Sequence, residues 1–133
     1  MSYVIFGDAQ AAVISYVKAE MPGTLAGSRL PVDYSPAKHG PFTRLTREGG
    51  TPQFPVQDLA LIGIEVYAPT SEAGIDRLNT VLALLVAARR RNKVPGVIFG
   101  STAVYGGPMY LEDPDTHTPR WTASIQISVR WTV

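Results

Sequence analysis

The sequence contains no cysteine. This absence excludes a disulfide framework, a zinc site with thiolate ligands and a cysteine nucleophile. Histidine is scarce too: His39 lies in a segment rich in proline and glycine, and His117 in an acidic one. No Gly-x-Ser-x-Gly pattern occurs that would supply a serine nucleophile. We therefore expect no Ser-His-Asp triad and no visible catalytic site.

Long apolar runs are also missing. The longest apolar-rich stretch, Val81 to Ala88, has eight residues, whereas a membrane-spanning helix needs about 20. The first residues, Met1 to Asp8, have no basic segment, and their apolar run stops at Asp8. We expect no signal peptide, no membrane partner and a protein that works in an aqueous compartment.

What the sequence does contain is enough apolar material for a folded core. Of its 133 residues, 45% are hydrophobic, which is too many for a disordered chain and sufficient for one domain of ordinary size. The formal net charge is only +1. The chain is therefore not a polycation of the kind that binds nucleic acid through its net positive charge.

Two segments have the periodicity of amphipathic helices. The first runs from about Asp8, a capping residue, to Glu20, and Pro22 ends it. The second runs from about Ser71 to Arg91, and Thr70 or Ser71 can cap it. Their apolar stripes are Ala9, Ala12, Val13, Tyr16 and Val17 in the first, and Ile75, Leu78, Leu82 and Leu85 with Val81 and Val86 in the second.

Three segments have the pattern of long strands. Residues 56–68 alternate, with Ile62, Ile64, Val66 and Ala68 on one face. Residues 97–105 are rich in β-branched and aromatic residues. Gly106-Gly107-Pro108 is expected to end that strand, with Met109–Leu111 returning as a partner. Residues 120–133 alternate seven times between apolar and polar side chains, so one face of this last strand must be buried.

The region between residues 24 and 55 is the least regular. We expect short strands near Arg29–Tyr34 and Phe42–Arg47, with an extended loop around Ser35–Gly40 or Glu48–Phe54. The whole order predicts an α/β (α+β) fold, in which two amphipathic helices pack on one face of a mixed, largely antiparallel sheet.

Three groups of residues are candidates for contacts with partners. Two are candidates because they are charged, and the third because it lacks charge. The basic cluster Arg89, Arg90, Arg91 and Lys93 suits DNA phosphates or an acidic protein surface, and also a helix C-terminus. The acidic segment with Glu112, Asp113, Asp115 and His117 lacks the ligand spacing of an EF-hand, so a solvated turn is favoured over a cation site. The two charged groups could meet across a subunit boundary.

The third group is the polar face of the last strand, Thr122, Ser124, Gln126 and Ser128. Exposed strands are usually protected by Lys or Glu against pairing with other chains, and this face has neither. We expect a second subunit or a loop to cover it. The tryptophans on the opposite face, Trp121 and Trp131, are expected to pack in the core.

The chain resembles the tail-terminator (tail-completion) proteins of long-tailed bacteriophages. The resemblance rests on the helix at 8–20, the strand and helix at 59–91, the strand at 96–105 and the closing segment at 113–130. In the closing segment, Pro119-Arg120-Trp121 enters an alternating strand that ends in Val129-Arg130, as in tail terminators of actinobacterial phages in particular. The proline-rich 24–55 region is the least similar.

This resemblance implies a ring-forming structural protein of the virion, located at the head–tail junction after assembly in the host cytoplasm. A homo-hexameric ring would cap the tube of the major tail-tube protein, stop its growth and present a surface to the head–tail connector (stopper) protein. The tape-measure protein is a further partner during assembly, and genomic DNA would pass through the lumen without specific binding. The resemblance implies no catalysis, cofactor or metal.

Two other functions stay open at this point. The first is a neck adaptor or stopper protein of the same junction, which would bind the portal side rather than tail tubes. The second is a small cytosolic enzyme or ligand-binding domain, which would need a pocket with clustered polar groups.

Overall fold

A computed structural model describes residues 6–53, 57–91 and 93–132. The expected start of a strand at Val56, the loop residue Phe54 and the last alternating residue Val133 lie outside these ranges. The elements in chain order are α1 (Ala9–Glu20), β1 (Leu25–Gly27), α2 (Pro36–His39), β2 (Phe42–Gln53), β3 (Gln57–Tyr67), α3 (Ser71–Val86), a 3-10 turn (Ala88–Arg90), β4 (Val97–Tyr110) and β5 (Arg120–Trp131).

The five strands form one mixed sheet in the order β1-β2-β3-β5-β4. Among the described strands, β1 and β2 are parallel and the other neighbours are antiparallel. The predicted fold class, an α+β fold with a mixed and largely antiparallel sheet, is confirmed. The sequence analysis compared the polar face of β5 with that of an exposed strand that could pair with other chains. This comparison was wrong, because β5 pairs on both sides and is not an edge strand.

Helices α1 and α3 cover one face of this sheet and form the core with it. Alternate residues of β3 and β5 point into that core: Ala60, Ile62, Ile64 and Val66 from β3, and Ala123, Ile125, Ile127 and Val129 from β5. The opposite face, called the open face below, carries Thr122, Ser124, Gln126 and Ser128 of β5. Within the described ranges, neither α1 nor α3 packs on it. The two-residue period of β5 therefore separated buried from open positions correctly.

The helix boundaries follow from their caps. The Asp8 side chain accepts a hydrogen bond from the Ala11 amide (3.1 Å), and the Thr70 hydroxyl accepts one from the Ala73 amide (3.2 Å). Helix α3 ends at Val86, earlier than the expected Arg91, and the arginines lie in and after the 3-10 turn. Val86 was expected to widen the apolar stripe and is instead half exposed. No helix in the described ranges is long and apolar enough to cross a membrane.

Strand β2 is much longer than predicted. The expected loop after Arg47 is wrong as far as Gln53, because the chain continues to pair with β3 after a register shift between Arg47 and Gly49. A bulge of this kind absorbs an extra residue without ending the ladder. Gly50 has a positive φ of 99°, and a Cβ there would lie 2.0 Å from the Leu59 carbonyl oxygen, so only glycine fits.

Strand β4 also continues where a break was expected. It runs through Gly106-Gly107-Pro108 to Tyr110, and Met109 and Tyr110 pair with β5, the same strand that pairs with Val97. Three register shifts along β4 accommodate the additional residues. The expected return of Met109–Leu111 as a separate partner strand is therefore wrong.

The irregular region before β2 differs in detail from the prediction. Residues 29–34 form no strand, whereas Leu25–Gly27 does, and Pro36–His39 forms a short helix within the expected loop. The Tyr34 hydroxyl donates to the Gly40 carbonyl at 2.6 Å, which closes this segment over the end of β3. Burial raises the pKa of this phenol to about 12.

Candidate assembly surfaces

The basic cluster lies where α3 leads into β4. Arg91 donates to Glu20 of α1 (Nε to Oε2, 2.9 Å), and the Lys93 ammonium is 3.7 Å from the same carboxylate. The hydrogen bonding to Glu20 raises the pKa of Arg91. Arg89 and Arg90 are exposed and form no ion pair with any residue of the described ranges. Only this half of the predicted cluster is therefore free to meet a partner.

The acidic segment forms an ordered turn between β4 and β5. The Asp113 carboxylate accepts hydrogen bonds from the amides of Asp115 (2.9 Å) and Thr116 (3.1 Å), and these bonds lower its pKa. Glu112 is 3.2 Å from the His117 ring and remains exposed, as does Asp115. The described residues include no cluster of three side chains able to hold a metal ion. The segment is thus an exposed turn in which backbone amides occupy the Asp113 carboxylate.

The two charged groups lie at opposite ends of the sheet. The basic cluster precedes Val97, which pairs with Trp131, while the acidic turn follows Tyr110, which pairs with Trp121. Over the 14 residues of β4, a strand rise of about 3.3 Å per residue separates the two ends by on the order of 40 Å. These charges therefore do not meet within one copy of the chain.

The polar side chains of β5 bond to neighbouring strands of their own sheet. Ser124 donates to Glu48 (3.2 Å), and Ser128 donates to Gln57 (2.6 Å). Gln126 accepts from the Tyr105 hydroxyl at 3.3 Å. The uncharged polar side chains of β5 thus form hydrogen bonds with their neighbours, but they remain partly accessible. Coverage by a second subunit remains a proposal.

Charge on the open face is concentrated beside β5. Glu65 of β3 lies between two arginines, with 2.6 Å to Arg44 and 3.2 Å to Arg120. Arg120 also stacks over the Tyr67 ring at 5.9 Å and donates to the Leu111 carbonyl at 2.9 Å. This network fixes the start of β5 to the residue that follows β4.

Two cavities on the open face are lined by several polar side chains. A cavity of about 290 Å³ is lined by residues that include Glu48, Glu65 and Ser124, and another of about 350 Å³ by residues that include Gln57, Gln126 and Ser128. Neither contains a histidine. The His39 ring nitrogen accepts from the backbone amide of Ser35 at 3.0 Å, so this histidine has a local structural role.

The sequence analysis missed an exposed apolar segment at the end of β4. Its large side chains have exposed fractions of 42–64%: Val104 45%, Tyr105 64%, Met109 56%, Tyr110 42% and, directly after the strand, Leu111 48%. One signal was present, because no charged residue occurs between Lys93 and Glu112. β4 is an edge strand, and edge strands are normally protected by charge. An apolar edge of this kind indicates a contact surface.

Comparison with solved structures supports the fold described above. The chain is similar to a chain in a solved structure described as the virion of a native gene transfer agent (GTA) particle, with a TM-score of 0.70 and 17% sequence identity. The similarity covers 96% of this chain and 98% of that one. At this identity, the two proteins share a fold over nearly their whole length. No family model and no curated protein matches the sequence.

Proposed function

We propose that the protein is a structural component of a phage-like virion, without catalytic activity. The observation that carries this proposal is the shared fold: nearly all of this chain superposes on nearly all of a chain in a gene transfer agent virion. Because fold alone does not determine function, the proposed role also depends on the charge and polarity of this chain's surfaces.

The specific role proposed is that of a tail terminator. Six copies form a ring that caps the tail tube, ends its elongation and presents a surface to the head connector protein. The tape-measure protein contacts it during assembly, and DNA passes through the lumen. This part rests on the resemblance of the segments at 8–20, 59–91, 96–105 and 113–130 to phage tail terminators.

The distribution of charge is compatible with such a ring. A closed ring of identical subunits needs head-to-tail contacts, in which two different patches of one chain are complementary. The exposed arginines Arg89 and Arg90 lie at one end of the sheet, and the exposed carboxylates of Glu112 and Asp115 lie at the other. The near-neutral net charge of +1 also suits a lumen that must release DNA, since phosphate binding requires many cations.

Native mass spectrometry with negative-stain electron microscopy tests this proposal. The purified protein is imaged alone, with tail tubes of the same phage and with the portal-side connector. Six-membered rings with a central hole, seated at one end of the tubes, are the expected result. A protein that stays monomeric and leaves tube length unchanged would refute the proposal. Binding to the portal side alone would indicate a neck adaptor instead.

A further inference from the structure

Strand β4 has an exposed apolar segment at one end, called the protrusion below, and a cavity at the other. The protrusion consists of Met109, Tyr110 and Leu111, whose side chains are 42–56% exposed. The cavity, of about 280 Å³, is lined by Ala88, Arg89, Val97, Ile98 and Phe99, between the 3-10 turn and the first residues of β4. In a head-to-tail contact, two different and complementary patches of the same chain meet.

The protrusion is held in place by its own chain. The Leu111 amide donates to the Arg120 carbonyl at 2.8 Å, and the Arg120 guanidinium donates back to the Leu111 carbonyl at 2.9 Å. The Tyr110 ring packs edge-on against Trp121, with 5.3 Å between ring centroids. Because the segment is already ordered, docking it costs little conformational entropy.

The cavity has an apolar floor and a cationic rim. Val97 and Phe99 are buried at its base, Ile98 is 39% exposed, and Arg89 contributes a free positive charge. The residue directly after the protrusion is Glu112, an exposed carboxylate. Apolar side chains followed by a carboxylate therefore match an apolar cavity bordered by an arginine, in both hydrophobicity and charge.

The two halves are too far apart to meet within one copy. They lie at opposite ends of β4, on the order of 40 Å apart by strand rise. The partner that satisfies both is a second copy of this chain, placed head to tail. Such a contact leaves one protrusion and one cavity free at the ends of any open chain, so it closes only in a ring.

We propose that Met109–Glu112 of one copy docks into the cavity lined by Arg89, Val97, Ile98 and Phe99 of the next, with Glu112 facing Arg89. This inference rests on the proposed function, for which it identifies the contact between ring subunits. Docking by side chains fits the strand better than edge-to-edge pairing does, because Pro108 has no amide hydrogen and three register shifts distort β4.

Charge reversal and charge exchange test this contact. Arg89→Glu and Glu112→Lys each place like charges together and are expected to weaken subunit association at least about tenfold, whereas the double variant restores it. Leu111→Asp should abolish ring formation, because it places a carboxylate against the cavity floor. Val32→Asp is the control, since Val32 is fully exposed outside the contact. Association is measured by sedimentation velocity and negative-stain imaging.

The outcomes separate this contact from the proposed function. Rings from the wild-type chain that are lost in the single variants and recovered in the double variant support the contact. Rings that persist in folded Arg89→Glu and Leu111→Asp proteins overturn the contact and leave the tail-terminator proposal standing. A wild-type chain that forms no ring, even on tail tubes, overturns both. Circular dichroism melting confirms that each variant is folded.

Discussion

The ion pair between Arg47 and Asp58 provides a sharp test of the fold that positions these surfaces. Asp58 is only 1% exposed, on the helix-covered side of β3. Its carboxylate accepts two hydrogen bonds from the Arg47 guanidinium, at 2.5 and 2.7 Å. Arg47 also donates to the Gly49 carbonyl at 2.8 Å, across the bulge of β2. The pair thus fastens the bulged β2–β3 hairpin.

Replacing Arg47 with methionine leaves the Asp58 carboxylate buried without its partner. Breaking a buried ion pair costs roughly 3–5 kcal/mol. Because the Arg47 side chain retains 29% exposure, we expect the lower end of this range, about 3 kcal/mol. The hydrogen bond to Asp58 also raises the pKa of Arg47.

Urea denaturation measures this loss. With a urea dependence of about 1.5 kcal/mol per molar, a loss of 3 kcal/mol lowers the midpoint by roughly 2 M. Arg44→Met is the matched control, because Arg44 is 37% exposed and Glu65 keeps Arg120 as a partner. That variant should lose no more than about 1 kcal/mol.

The double variant Arg47→Met, Asp58→Leu separates pairing from packing. Replacing both charges with apolar groups of similar size should recover most of the stability, because no unpaired charge then remains. Equal losses in Arg47→Met and Arg44→Met would refute this account of the hairpin. No recovery in the double variant would show that the guanidinium acts through its bond to Gly49 instead.

Two further predictions concern stability. Burial raises the pKa of Tyr16 from 10.0 to about 12. The stability that its protonated phenol contributes to the fold is therefore complete below pH 10 and is lost as pH rises towards 12. Tyr16→Phe, which removes the 2.5 Å bond to the Leu84 carbonyl, should cost about 1 kcal/mol at neutral pH and reduce the alkaline loss in urea denaturation. Equal losses of stability at alkaline pH in the wild-type and Tyr16→Phe proteins would contradict this account. Gly107→Ala should cost at least about 1 kcal/mol, because φ is +86° and a Cβ would lie 2.5 Å from the Thr122 carbonyl. Gly106→Ala, with open space around it, should change the melting temperature little.

Local patterns predicted the elements whose signals lie within a few residues. Asp8 and Thr70 cap the helices as expected, because a capping side chain needs only the next turn of backbone. The alternation of β5 separated its buried face from its open face, since neighbouring side chains of a strand always point to opposite sides. The resulting fold class, an α+β arrangement with a mixed sheet, followed from the order of these elements.

Errors occurred where pairing between distant residues outweighed local preference. Gly106-Gly107-Pro108 is a turn signal by composition, yet β4 continues through it because Met109 pairs with Thr122 and Tyr110 with Trp121. Similarly, Gly49-Gly50 suggests a turn, but both glycines pair with β3. A local pattern carries no information about such a partner strand.

Local sequence patterns predicted the two amphipathic helices, the two-faced last strand and the presence of a cationic and an acidic cluster, because each depends on nearby residues. The positions of those clusters depend instead on how distant strands pair. Pairing of β4 with β5 places them at opposite ends of one strand, and the Glu20 carboxylate occupies Arg91 and Lys93 while leaving Arg89 free. Strand order also explains why the apolar end of β4 is exposed, because no described strand pairs with its outer edge.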